Sequence, residues 1–431
     1  MNIDLESTVE PPTNLSAAVH PASSTSRSEL PVRAFEHRLL LPVALIVAVD
    51  FMGLGIVVPL LPYYAERTGA SGFTVGTIIS VFAFCQFLAG PFLGQLSDRY
   101  GRRPILLLSQ LGSLVGYVIF ALSNTLLLIF LSRIIDGLSA GNMSVAQAFV
   151  YDHTSPSDRT KGFGLIGAAF AVGMMIGPAI GGLLSSISIH APLWAAASLS
   201  ALSLILTFIL LPREVMHGRA HEHNESFPLR SIWTTLRAPT TSRIAWLMTA
   251  FYFALSTYMS GQALFLAGRF TWRGHPFNPE NIGLVFTYIA AINILVQTLL
   301  MKRLTSFFSE EKLLAAGFLL MGIGFVGVGL CLAVTPLIAF LTGANIGASI
   351  LRPLILSQMS KRVNAGKQGL VMGVNQSIYS VCAILAPLMS GALINRAFYS
   401  SWAWLIALPA SVGLLIALAL SPNSTEDRHL F

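Results

Sequence analysis

Twelve apolar runs, each about as long as a bilayer is thick, decide what this chain can become. A membrane-crossing helix needs roughly 20 apolar residues. Runs of that length fall at about 39–64, 75–96, 105–122, 125–151, 162–186, 191–211, 244–268, 281–301, 313–333, 336–359, 369–394 and 402–421. The two runs that flank residue 100 have no polar face, so neither can lie on a soluble surface. Charged residues make up 10% of the chain, against about 25% in soluble domains. Backbone groups in lipid must be satisfied within their own segment. The expected fold is therefore an all-α membrane protein of twelve transmembrane helices.

The formal charge of +7 is spread over short loops, which excludes a nucleic-acid surface and instead sets orientation. With both termini cytoplasmic, Arg99, Arg102, Arg103, Arg159, Lys161, Lys302, Arg303, Lys361, Arg362 and Lys367 fall inside. Only Arg67, Arg269, Arg273 and Arg396 then fall in outer loops. Cys85, Cys331 and Cys382 lie within expected spans and read as small apolar fillers. The start of the chain is rich in Ser, Thr and Pro and has no cleavage pattern, so residues 1–38 read as a disordered cytoplasmic tail. The longest polar interruption separates six spans from six. It divides the chain into a bundle at 39–211, a cytoplasmic linker at 212–243, a second bundle at 244–421 and a tail at 422–431. An internal repeat agrees: one shift of 209 residues carries Gly164 onto Gly373, Pro178 onto Pro387 and Gly182 onto Gly391. Duplicated halves with a substrate site between them are common in secondary transporters.

Between spans 2 and 3 stands Gly94-Gln95-Leu96-Ser97-Asp98-Arg99-Tyr100-Gly101-Arg102-Arg103-Pro104, a charged hairpin with more specific chemistry than topology alone requires. Gly94 is expected to let span 2 approach another helix closely. Gly101 permits the sharp turn. Asp98 can pair with Arg102 or Arg103, or sit at a helix N-terminus. Span 5 carries Gly173, Gly177 and Gly181 at a spacing of four, with Pro178 and Gly182. That is a surface of small residues for close helix contact, bent at the proline.

The pattern Gly-x-Leu-x-Asp-Arg-x-Gly-Arg-Arg at 94–103 resembles the loop motif of the major facilitator superfamily. The span 5 glycines and proline resemble the antiporter motif of its drug-proton exporters. Arg133-x-x-x-Gly137-x-x-x-Gly141 resembles its intramembrane arginine motif. The first span, from Val49-Asp50-Phe51 to Pro59-Leu60-Leu61-Pro62, looks like that of tetracycline-type exporters. The resemblance covers residues 39–421. It implies two pseudo-symmetric six-helix bundles and proton-coupled export, with Gly94, Asp98, Arg99, Gly101, Arg102 and Arg103 as a conformational-switch loop. The second-half copy near Lys302-Arg303-Leu304 lacks the aspartate, which puts a matching lock there in doubt.

Ionisable groups inside a span cost about 2.5–3.5 kcal/mol on insertion scales, so each needs a role. Asp50, Arg133, Asp136 and Arg352 stand deep enough to matter. Asp50 has no opposite charge at helical spacing, and burial favours its neutral form. It is a candidate proton carrier or cationic-substrate contact; the alternative is a carboxylate satisfied by a neighbouring helix. Asp136 lies three residues after Arg133 on a shared face, where the family more often has a neutral residue. The two are a coupling and cavity pair or a structural one. Arg352 shares a stripe with Asn345 and Ser349 and either binds a substrate anion or pairs with Asp50. Tyr252, Tyr288, Gln297 and Gln376 are expected, with Asn345, to line a central cavity.

Three patterns carry no weight. Gly137-Leu138-Ser139-Ala140-Gly141 spells a nucleophile elbow without its strand-turn-helix setting. Gly322-Ile323-Gly324-Phe325-Val326-Gly327 spells a dinucleotide fingerprint without a βαβ unit. His217, His221 and His223 read as a solvated cluster, not a metal site. The expected protein is no enzyme, needs no cofactor or metal, and works as a monomer in a bilayer. It is read as exporting a small amphipathic drug or secondary metabolite against protons across a bacterial inner membrane. Uptake by proton symport and a non-transporting sensor or scaffold are the competing readings.

Overall fold

The computed structural model describes residues 37–154, 159–212, 242–361 and 368–420. The two tails, the 212–243 linker with its three histidines, and Arg362 and Lys367 lie outside them, apart from a few edge residues. Spans 1 to 3 are His37–Arg67, Gly72–Tyr100 and Arg102–Ala121. Span 4 consists of Leu126–Ser139 and Asn142–His153; spans 5 and 6 are Arg159–Ser185 and Ala191–Leu210. The second half holds Ser242–Arg269 as span 7, then Pro279–Leu295 continued by a π-helical turn, Val296–Leu300, and Met301–Phe307 as span 8. Spans 9 to 12 are Glu310–Leu330, Val334–Lys361, Gln368–Asn395 and Tyr399–Ala419. Two short strands, β1 (Thr271–Trp272) and β2 (His275–Pro276), pair antiparallel in the loop after span 7.

Among the described residues eleven of these spans are long and apolar enough to cross a membrane. Span 7 is the other, 28 residues long but interrupted by Thr249, Ser256, Thr257, Ser260 and Gln262. Its neighbours cover it: Thr257 is fully buried and Gln262 nearly so. Polar side chains are tolerated there because the helix meets protein on most sides.

The expected repeat is a repeat of packing. In the first half span 1 packs on spans 5 and 6, and span 3 on spans 4 and 6. In the second half span 7 packs on 11 and 12, and span 9 on 10 and 12. The halves meet through span 2 on span 11 and span 5 on span 8, again related by the shift of six spans. Gly182 faces Gly283 of span 8, with 3.1 Å between a methyl built on Gly182 and the Gly283 Cα. Its counterpart Gly391 abuts Gly72 of span 2, and Pro387 abuts Gly76.

These contacts all lie at the end of the bundle opposite the charged hairpin. At the hairpin end, methyl groups built on Gly90 and Gly94 of span 2, Gly164 and Gly167 of span 5, and Gly373 of span 11 meet no atom within 4 Å. The close glycine contacts between the halves thus lie at the far end, and these hairpin-end glycines make none. Gly94 is therefore not the close-approach point expected of it, because no second helix reaches it in this state.

Two other expectations change. The hairpin is almost entirely helical: span 2 runs to Tyr100 and span 3 begins at Arg102. Gly101 alone makes the turn, at φ +95°, and its N–H donates to the Ser97 carbonyl at 3.0 Å. Span 4 is not continuous but breaks at Ala140–Gly141. The amide of Gln86 donates to the Ala140 carbonyl freed there, at 3.5 Å.

Candidate functional site

The hairpin is built around one guanidinium. Arg102 pairs with Asp98 one turn earlier, donates to the Ser97 hydroxyl at 2.6 Å, and reaches Asp152 at the end of span 4 at 2.8 Å. Arg103 turns the other way and donates to the Phe208 carbonyl of span 6 at 2.6 Å, over the Phe208 ring. Arg99 lies over Tyr100. Of the partners open to Asp98, the structure uses Arg102.

The second half lacks that aspartate but has a substitute. Glu310, which opens span 9, binds Lys361 at 2.8 Å and accepts from Gln358 at 2.7 Å, both at the end of span 10. The 209-residue shift carries Asp152 onto Lys361 and Arg102 onto Glu311, next to Glu310. The same two helix ends are tied in each half, with the charges exchanged. Lys361 is 61% exposed, so the pair is worth only about 0–1 kcal/mol. A thermal-melt double-mutant cycle of Glu310→Gln and Lys361→Gln is expected to give a coupling below about 1 kcal/mol. A larger value would mean a desolvated lock.

The span 5 motif divides its contacts. A methyl on Gly173 would lie 2.5 Å from the Ala48 carbonyl oxygen, and one on Gly177 would lie 2.6 Å from that of Met52. One on Gly181 would lie 3.1 Å from the Ile56 carbonyl oxygen. These three face span 1 within their own half. Gly182 and the Pro178 carbonyl instead meet Gly283 across the halves.

Of the four intramembrane charges, two form a closed unit. Arg133 and Asp136 pair at 3.1 Å with side chains 2% and 4% exposed. The guanidinium lies over Phe120 at 4.9 Å and Tyr117 at 5.6 Å. Arg133 therefore does not line the cavity as expected: one nitrogen of its fork is bound to Asp136, and the guanidinium lies over aromatic rings of span 3. Asp136 is likewise held as a counter-ion inside the first half, not presented to the gap.

Asp50 is different. It is half-buried in span 1 and accepts a hydrogen bond from the amide of Asn142, the first residue after the break in span 4. No ion pair joins it to Arg352 or to any other cation among the described residues. Next to it, Phe51 meets Phe170 of span 5 edge-on at 4.6 Å. The Arg352 guanidinium lies over that same Phe170 from the other half, 5.2 Å from the ring centre. Tyr252 donates to the Asn375 side chain at 2.6 Å and meets Tyr379 edge-on at 5.5 Å.

The remaining expected cavity residues scatter. Asn345 is 3% exposed and donates to Tyr258 of span 7 at 3.2 Å, so it fastens two helices of the second half instead of lining the gap. Ser349, on its stripe, is taken by Asn293 of span 8. Tyr288 reaches Thr342 of span 10 at 2.8 Å. Gln297 is exposed within the π-helical turn, and Gln376 is exposed on span 11. Asn142, Phe170, Asn375 and Tyr379 were not expected from the sequence.

Comparison with known proteins agrees with this geometry. A family model described as Major Facilitator Superfamily matches residues 43–275 and 263–430. The chain is 32% identical over 384 residues to the class C tetracycline resistance protein of Escherichia coli, covering 86% of this chain and 94% of that one. It is 28% identical over 388 residues to Multidrug resistance protein 1 of Bacillus subtilis (strain 168), covering 89% and 95%. Among solved structures, a single-residue mutant of the nucleoside transporter NupG superposes with a TM-score of 0.72 at 14% identity, covering 88% and 98%.

Proposed function

The chain belongs to the major facilitator superfamily, and we propose that it is a proton-coupled exporter of a small amphipathic drug or secondary metabolite. It is a multi-pass membrane transporter and not an enzyme. Its relatives include tetracycline and multidrug resistance proteins, which supports export of a drug-like molecule. The observation that supports the reading is the carboxylate Asp50, half-buried in span 1 with no ion pair among the described residues, next to Phe51, whose ring meets Phe170. In this reading the hairpin end is cytoplasmic, in a bacterial inner membrane, and the state is open to the cytoplasm.

Alternating access follows from the glycines. The far-end contacts must part while the hairpin ends close. Asp50 carries the proton, and Asp136 serves as the counter-ion of Arg133. One proton entering supplies about 2.3 kcal/mol per 100 mV and about 1.4 kcal/mol per unit of pH gradient.

Gly94 tests the motion. A leucine there has space in this state but would obstruct closure of the hairpin end. Gly94→Leu is expected to fold at wild-type yield and to stall with that end open. Spin-label distances between spans 2 and 11 at the hairpin end should then stop responding to a proton gradient. Distances that respond as in the wild type would show that Gly94 is not part of the closing surface.

The function itself is tested in inverted vesicles with tetracycline and a panel of amphipathic dyes. At least one should accumulate under an inward-acid gradient and leave when the gradient is collapsed. Gradient-driven movement in the opposite direction would make the protein an uptake system.

A further inference from the structure

Two guanidiniums lie deep in the described spans, and only one is neutralised. Arg133 has Asp136. Arg352, in mid-span 10, has no ion pair and no hydrogen bond to protein among the described residues, and it lies over the ring of Phe170. A cation over a ring face interacts with the π cloud and does not use its N–H donors. Those donors form a planar fork matched to an oxyanion. The side chain is exposed even though span 10 is packed on both sides of it, with Leu351 and Leu354 buried. Because Phe170 belongs to the opposite half, the exposed guanidinium stands where the two halves face each other.

The surroundings suit an anion on a flat frame. Tyr252 and Tyr379 stand on the second-half side and meet edge-on at 5.5 Å. Phe170 and Phe51 form the wall on the first-half side. Asp50, next to Phe51, is engaged by Asn142 and forms no ion pair with Arg352 among the described residues.

We propose that the transported molecule carries an anionic group, a carboxylate or sulfonate, received by the Arg352 fork while its flat apolar frame lies against Phe170 and Phe51. The inference rests on the export reading, since it names the substrate class of that cavity.

The test uses full-length protein in nanodiscs and two probes with one aromatic frame and opposite charge, naphthoate and naphthylmethylamine. Equilibrium binding should be saturable for naphthoate and tighter than for the amine. Arg352→Gln should weaken naphthoate at least about tenfold, the scale of a charge-assisted hydrogen bond. Arg352→Lys should recover only part of that, because an ammonium keeps the charge and loses the fork. Phe170→Leu should weaken it about two- to fivefold by removing the ring under the cation. Preference for the amine, no saturable naphthoate binding to the wild type, or equal naphthoate affinity in folded Arg352→Gln would each overturn the proposal. Proton-driven vesicle transport that is undiminished in Arg352→Gln would remove this inference and leave the export reading standing. Arg352-dependent naphthoate binding without any proton-driven transport would do the reverse.

Discussion

Gly177→Leu is expected to abolish uphill export and to lower the melting temperature of the protein. Even a methyl at this position would lie 2.6 Å from the Met52 carbonyl oxygen and 2.7 Å from the Gly55 Cα. Both obstacles are backbone, so no side-chain rotation relieves the clash. Spans 1 and 5 would have to separate, and overpacking of this kind costs about 1–3 kcal/mol. Separation also moves Asp50 and Phe51, which lie on span 1 directly before Met52, away from Asn142 and Phe170. Gly182, on the same helix, would lose its register against Gly283. The substitution therefore acts on coupling and on the far-end closure together. Gly177→Ala should show a smaller loss in both melting and transport. The measurement pairs a thermal melt of the purified variants with proton-driven transport in proteoliposomes at matched reconstitution. Wild-type coupling in Gly177→Leu at equal incorporation would show that the span 1–span 5 contact has no part in transport.

What the sequence discloses about this fold is governed by how each feature meets lipid. The spans are legible because a helix in hydrocarbon must be apolar along its length, and the Gly177-Pro178 motif because close helix contact demands small residues at fixed spacing. The direction each helix faces is not legible. In a twelve-helix bundle both lipid and neighbouring helices select apolar side chains, so hydropathy carries no mark of the gap. Asn345 and Arg352 share one stripe in the sequence, yet one fastens span 7 and the other faces span 5. The break in span 4 was hidden for a related reason: the apolar run before it reads straight through Ala140 to Gly141. The pairing of Arg133 with Asp136 was readable from a spacing of three. The meeting of Arg352 with Phe170 was not, because those residues belong to different halves and only tertiary packing joins them.

The sharpest outcome is expected at Asp50 and Asp136, the two carboxylates deep within spans of the first half, which should respond oppositely to the same substitution. Asp136→Asn removes the counter-ion of a guanidinium that is 2% exposed, and breaking a buried pair costs about 3–5 kcal/mol. That variant should be poorly folded. Asp50→Asn removes no ion pair, and an amide at this position can still accept from Asn142. It should fold normally. What it loses is a titratable group in span 1. Uphill export driven by a proton gradient should fall to equilibration, while exchange of substrate across the membrane survives because exchange needs no net proton movement. Arg352 is the rival explanation for any loss, since it is the unneutralised charge on the opposite wall. Proteoliposome transport of Asp50→Asn, alone and with Arg352→Gln, separates the two. Uphill export by the single variant would exclude Asp50 as the proton carrier. Recovery in the double variant alone would make it an electrostatic partner of Arg352, acting across the gap without hydrogen-bonding it.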